Sequence, residues 1–180
     1  VVAVLVWYGL FELFGRRVRE VDIWWSFGLL FFFNAGALGL FLLVERELIR
    51  AGIAILVAVL VFLVTEQFYR WFYAHRAPSY TLGVMISLLE VCTMFFVGSD
   101  LIGLHILLGV PTWLVTLLGM TTTVLLFLIA RVTRGTVLQS VIPALMVGVF
   151  MGELFLALLL LPTSFLVSGA VVAIVWYVID

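Results

Sequence analysis

Long apolar runs recur along this chain, and its charged residues fall almost entirely in the short stretches between them. A helix that crosses ~30 Å of hydrocarbon needs about 20 consecutive apolar residues. Runs at residues 1–14, 24–44, 49–65, 80–97, 112–130, 136–161 and 165–179 meet or approach that length. Inside a bilayer every backbone N–H and C=O must be satisfied within the protein, and helices do this locally. The pattern predicts an all-α fold: a polytopic integral membrane helix bundle of about seven transmembrane helices. Composition closes off the soluble alternative. Of 180 residues, 66% are hydrophobic and 11% charged, against about 45–50% and about 25% in soluble domains. Too few polar side chains remain to coat a water-facing exterior.

The connections are short. Arg16, Arg17, Arg19, Glu20 and Asp22 follow the first run, which is brief enough to read as a span truncated at Val1. Residues 45–50 form a tight charged turn. The third span continues as helix towards Tyr73, and Pro78 then breaks it, having no N–H to donate. The fourth is expected to end at Gly98, Ser99 and Asp100. Residues 101–130 would make ~45 Å of helix, too long for one straight crossing. Pro111 divides them into a short interfacial or re-entrant piece at 101–110 and a fifth span at 112–130. No linker, low-complexity tract or repeat interrupts the chain, so residues 1–180 read as a single transmembrane helical domain.

Cationic loops stay on the cytoplasmic side. Connections one, three and five carry Arg16, Arg17, Arg19, Arg70, Arg76, Arg131 and Arg134, whereas the opposite side has Arg46 and Arg50 beside Glu45 and Glu47. This asymmetry predicts an outside N-terminus and a cytoplasmic C-terminus, in a cytoplasmic (plasma) membrane. Trp24, Trp25, Tyr69, Trp71, Tyr73, Tyr80, Trp176 and Tyr177 fall near the inner boundary on that reading, and Trp113 near the outer one, where amphipathic rings settle.

Ionisable groups within spans are expensive and are therefore functional candidates. Glu90 lies within the fourth span and Glu153 within the sixth, each ~10–12 Å below the outer boundary at 1.5 Å of rise per residue. Two carboxylates at one depth can share a proton, hold a cation or relay protons; a shared site requires them to lie within ~10 Å of each other. The plainer reading is that each is hydrogen-bonded to a neighbouring helix or meets a polar group on a partner. Asn34, beside Ala35, Gly36 and Gly39, reads as interhelical packing glue. Ala144, Gly148 and Gly152 form a small-xxx-small stripe, and Gly169 and Ala173 share its spacing; such stripes let helix backbones approach closely. Glu153 directly follows the first stripe and is expected to face protein rather than lipid.

Other polar groups have bland readings. Glu12 with Arg16 and Glu66 with Arg70 are favourably oriented i,i+4 pairs. Asp100 and His105 are too few for a metal site and sit on different helix faces. His75 is a headgroup-level loop residue, and Thr121, Thr122 and Thr123 can bond back to their own helix. Cys92 is the single cysteine, so no metal or disulfide framework follows.

Several classes are excluded. A net charge of −1 gives no basic surface for nucleic acid. All nine cationic side chains are Arg. The layout resembles that of microbial rhodopsins in topology alone, but covalent retinal needs a Schiff-base lysine and none is present. No paired His suggests haem, and no P-loop, HExxH or GxSxG pattern occurs. Cofactors are otherwise unspecified. Two functions stay open. One is a non-catalytic subunit or scaffold packing against other membrane proteins, or against copies of itself, within the lipid bilayer. The other is a small transporter or ion- or proton-coupled protein using Glu90 and Glu153. Catalysis is the remoter reading, because no nucleophile–base set is apparent: Cys92 lies two residues from Glu90, on another helix face.

Overall fold

The computed structural model describes residues 21–73, 79–132 and 137–179, with side-chain surroundings over 28–66, 84–130 and 140–179. Everything regular among them is helical: α1 Val21–Leu43, α2 Glu47–Tyr73, α3 Ser79–Leu108, α4 Thr112–Val132, α5 Val137–Leu160 and α6 Phe165–Ile179. The described residues therefore hold six helices and no strand. The span expected at residues 1–14, the Glu12–Arg16 pair, His75 and the side chains of Arg70, Arg131 and Arg134 lie outside them. Four stretches are long and apolar enough to cross a membrane: Glu47–Glu66, Val84–Leu108, Thr112–Ala130 and Ser140–Leu160. Gly28–Leu43 and Phe165–Ile179 are shorter apolar helices.

The central helix is α3, which packs against α1 on one side and α6 on the other and also touches α2, α4 and α5. The most extensive contact is between α4 and α5. Small residues set these seams. Any Cβ on Gly36 of α1 would lie 3.0 Å from Phe96 Cβ and 3.2 Å from the Val97 backbone nitrogen, both on α3. On α6, Gly169 lies against Ser99 and the Phe95 carbonyl of α3. Gly148 of α5 lies against Val124 of α4, and Gly152 against Met120. Where lipid tails are as apolar as leucine, such close approach, with the dispersion contacts it allows, is what holds helices together. Large side chains fill the space between seams: Phe33, Phe155, Val115 and Trp176 are fully enclosed. Phe33 meets Phe96 at 5.4 Å between ring centroids, and Phe127 meets Trp176 edge-on at 6.3 Å.

The boundary expected at Gly98-Ser99-Asp100 is corrected. Helix α3 runs unbroken through these residues to Leu108, so residues 101–108 are its last two turns and not a re-entrant piece. Gly98 and Ser99 are buried contact points rather than chain breakers; a Cβ on Gly98 would sit 3.1 Å from Val172 of α6. The real stop comes later. Gly109 takes φ 66°, its N–H bonds the His105 carbonyl at 3.0 Å, and the His105 ring donates from Nδ1 to the Val110 carbonyl at 2.7 Å. This is a left-handed cap, followed by Pro111. Helix α6 starts at Ser164, whose hydroxyl accepts from the Val167 N–H at 3.4 Å, as an N-cap serine does.

Candidate functional site

The structure separates the two carboxylates that the sequence placed at one depth. Because α3 extends to Leu108, Glu90 lies 18 residues, or ~27 Å, from that end. Glu153 lies seven residues, ~10 Å, from the end of α5 on the same side. The two differ by eleven residues, ~16 Å of helix, in their distance from these ends, so the equal-depth expectation, which was measured from Val97, loses its reference point. Their surroundings differ as well. Glu90 is only 1% exposed, inside the bundle, whereas Glu153 is exposed on its outer surface.

The outward direction of Glu153 follows from helical phase. Gly148 and Gly152, with the fully buried Ala144 and Met151, turn one side of α5 onto the bundle. One residue past Gly152, the chain has rotated by ~100°, and Glu153 emerges among Ile142, Leu145, Met146, Val149, Phe150, Leu156 and Leu160, all exposed. Glu153, expected to face protein rather than lipid, is thus turned away from this chain's own helices. The stripe and the carboxylate belong to different faces.

Asn34 lies elsewhere again. Its Nδ2 donates to the Leu30 carbonyl of its own helix at 2.8 Å, so the amide satisfies itself locally rather than bridging helices through that group. It lines a groove between α1 and α2. Glu90, Glu153 and Asn34 are thus in three separate surroundings: the core, the outer face of α5, and the α1–α2 groove.

Asp100 does not stand at a helix end, where the sequence pattern places it. It sits within α3, with its carboxyl pressed against Gly39 of α1: a Cβ there would lie 2.8 Å from Asp100 Cγ. Its Oδ1 is buried without a hydrogen-bond partner, as are Ser99 Oγ, Thr116 Oγ1 and Trp176 Nε1. The signal available was the unbroken apolar character on both sides of Asp100, with no proline before Pro111. The remaining hydroxyls are quiet. Thr93, Thr121 and Thr123 donate to Leu89, Leu117 and Gly119 carbonyls at 2.6, 2.8 and 2.7 Å, the i−4 back-bonding open to threonine in helices. Among the described residues, no three His, Cys, Asp or Glu side chains converge as a metal site.

Compared with known protein families, characterised proteins and solved structures, the chain matches none.

Proposed function

We propose that this chain is a non-catalytic subunit of a membrane protein assembly, in which the outer face of α5 docks a transmembrane helix of a different subunit. In this reading the bundle is integral to a cytoplasmic (plasma) membrane, with seven spans, an outside N-terminus and a cytoplasmic C-terminus. Four helices long and apolar enough to cross a bilayer support the embedding. The arginine asymmetry between alternate connections supports the orientation.

The observation that carries the subunit reading is the exposed Glu153 on a wholly apolar stripe of α5. A charged side chain in the hydrocarbon costs about 2.5–3.5 kcal/mol or more and is normally turned inward or paired. Here it is turned outward. Its matching partner is a helix bearing a cationic or amide donor at the same depth. A two-fold contact between copies along this stripe would set two Glu153 carboxylates together, which favours a different chain as the partner. Transport through a joint Glu90–Glu153 site would require both groups in one cavity, and no feature of the structure favours that reading over the subunit one.

Mild detergent extraction from native membranes, followed by mass measurement of the intact particle, tests the proposal. Wild type is expected to carry a second polypeptide in fixed ratio, and Glu153→Leu to lose it while Val59→Ala on α2 retains it. A wild-type monomer, or a Glu153→Leu particle of unchanged mass, would contradict it.

A further inference from the structure

Helix α2 is the least integrated of the candidate spans: only 11% of its apolar window is buried. Where it leans against α1, a groove of 470 Å³ opens, lined by Phe31, Asn34, Leu38 and Phe41 of α1 and by Ala54 and Val57 of α2, among others. The lining positions on α1 recur at three- and four-residue steps, so they form one face. On α2 the same phase continues upward from Ala54 to Arg50. There the guanidinium lies over the Phe41 ring, 5.6 Å from its centroid, and Nε donates to the Val44 carbonyl. A cation therefore sits at the mouth of an apolar slot, fixed by its Nε and by the ring beneath it. Among the described residues no hydrogen bond engages its two terminal nitrogens, which form the fork that suits phosphate oxygens.

We propose that this groove is a binding site for one glycerophospholipid, with an acyl chain between α1 and α2 and the phosphodiester on Arg50. Size selects the occupant. From Phe31 to Phe41 the groove covers ten residues, ~15 Å of helix, so its mean cross-section is roughly 30 Å². A single polymethylene chain can lie along it, whereas a transmembrane helix, ~10 Å in diameter, could rest only across its open side. Charge selects the headgroup end. Arg50 sits on the first turn of α2, at the end of the hairpin where headgroups meet the apolar core, and basic side chains at that level bind lipid phosphates. Arg46 and Glu45 are exposed in the connection just before α2, and Glu47 at its start. The two cations and two acids leave no net charge, so a zwitterionic phospholipid meets no overall repulsion.

The inference rests on the membrane embedding but not on the docking face around Glu153. The test uses the full chain purified in detergent, delipidated, and titrated with dioleoyl phosphatidylcholine, with the bound lipid counted by native mass spectrometry. Dioleoylglycerol, which has the chains without the phosphate, and inorganic phosphate, which has the anion without the chains, serve as the comparison arms. One tightly held phosphatidylcholine is expected, with both comparison ligands at least ten-fold weaker. Arg50→Gln should weaken retention roughly ten-fold, the loss of one charge-assisted hydrogen bond to the phosphodiester. Ala54→Phe, which fills the slot from α2, should abolish it, while Ile174→Phe on the exposed side of α6 should leave it unchanged. Equal retention by Ala54→Phe, equal binding of dioleoylglycerol, or a polypeptide cross-linking from position 54 in native membranes would each overturn the proposal. A chain that remains soluble without detergent would instead overturn the embedding itself, so the two failures are distinguishable.

Discussion

Two glycine-to-alanine substitutions, chemically identical, should move stability in opposite directions. At Gly169 the new methyl would meet the Ser99 hydroxyl and lie 2.9 Å from both the Phe95 carbonyl oxygen and the Ser99 nitrogen. Two of these neighbours are backbone and cannot rotate away, so α6 must shift off α3. The shift loosens the contacts of Val172 and Trp176, both fully enclosed. Overpacking of this kind costs about 1–3 kcal/mol, and the better helix propensity of alanine returns up to about 1 kcal/mol. A net loss of about 2 kcal/mol is expected when the rigid backbone contacts put the cost at its upper end. At Gly52, on the outer side of α2, no atom lies within 4 Å of the added methyl. Only the propensity term acts there, giving a gain of up to about 1 kcal/mol. For a chain of this size, each kcal/mol shifts the melting midpoint by about 2–4 °C. Thermal unfolding in one detergent, followed by circular dichroism, should therefore place Gly169→Ala about 4–8 °C below wild type and Gly52→Ala at or slightly above it. A Gly169→Ala protein as stable as Gly52→Ala would refute the claim that α3 and α6 touch backbone to backbone.

Trp176→Ala empties a fully enclosed site against Phe127 and should cost about 3–5 kcal/mol in the same assay; an unchanged midpoint would mean that the indole is not in the core. Gly109→Ala forces a side chain into the left-handed region at the end of α3 and should cost about 1–2 kcal/mol, with no loss expected if the cap were an ordinary turn. Glu153→Leu should alter the stability of the isolated bundle by no more than about 0.5 kcal/mol, as surface substitutions usually do, while removing the partner in native membranes. A large stability loss from Glu153→Leu would show that the carboxylate serves this chain's own fold.

The four candidate spans at Glu47–Glu66, Val84–Leu108, Thr112–Ala130 and Ser140–Leu160 were legible because their signal is additive: apolar character summed over about twenty residues survives errors at any one position. Pro111, directly before α4, was legible because proline acts through its own backbone. Gly98-Ser99-Asp100 misled because glycine and serine have two uses in membrane helices. They end helices, and they also let helices touch; only the location of Val172 and Phe95 decides between them. The displaced boundary then propagated into the candidate site, moving the end from which the depth of Glu90 was measured by eleven residues. The direction of Glu153 was lost for a different reason. A stripe of small residues says that one face is close-packed, but the next residue lies a quarter-turn or more around the helix. The α1–α2 groove was not legible, because it depends on how far one hairpin opens, which no local pattern encodes.

In the subunit reading, the outward face of α5, organised around Glu153, is covered by a helix from another protein. The most direct measurement is a photo-cross-linking scan along α5 in native membranes, with one photoreactive side chain at each position from 141 to 160. Adducts to one polypeptide are expected from the outward positions 142, 146, 149, 150 and 156, recurring with helical period. None should form from the inward positions 144, 148 and 151, and all should vanish when Glu153→Leu is added. Lipid adducts alone at every outward position, or polypeptide adducts that persist without the Glu153 carboxylate, would contradict it.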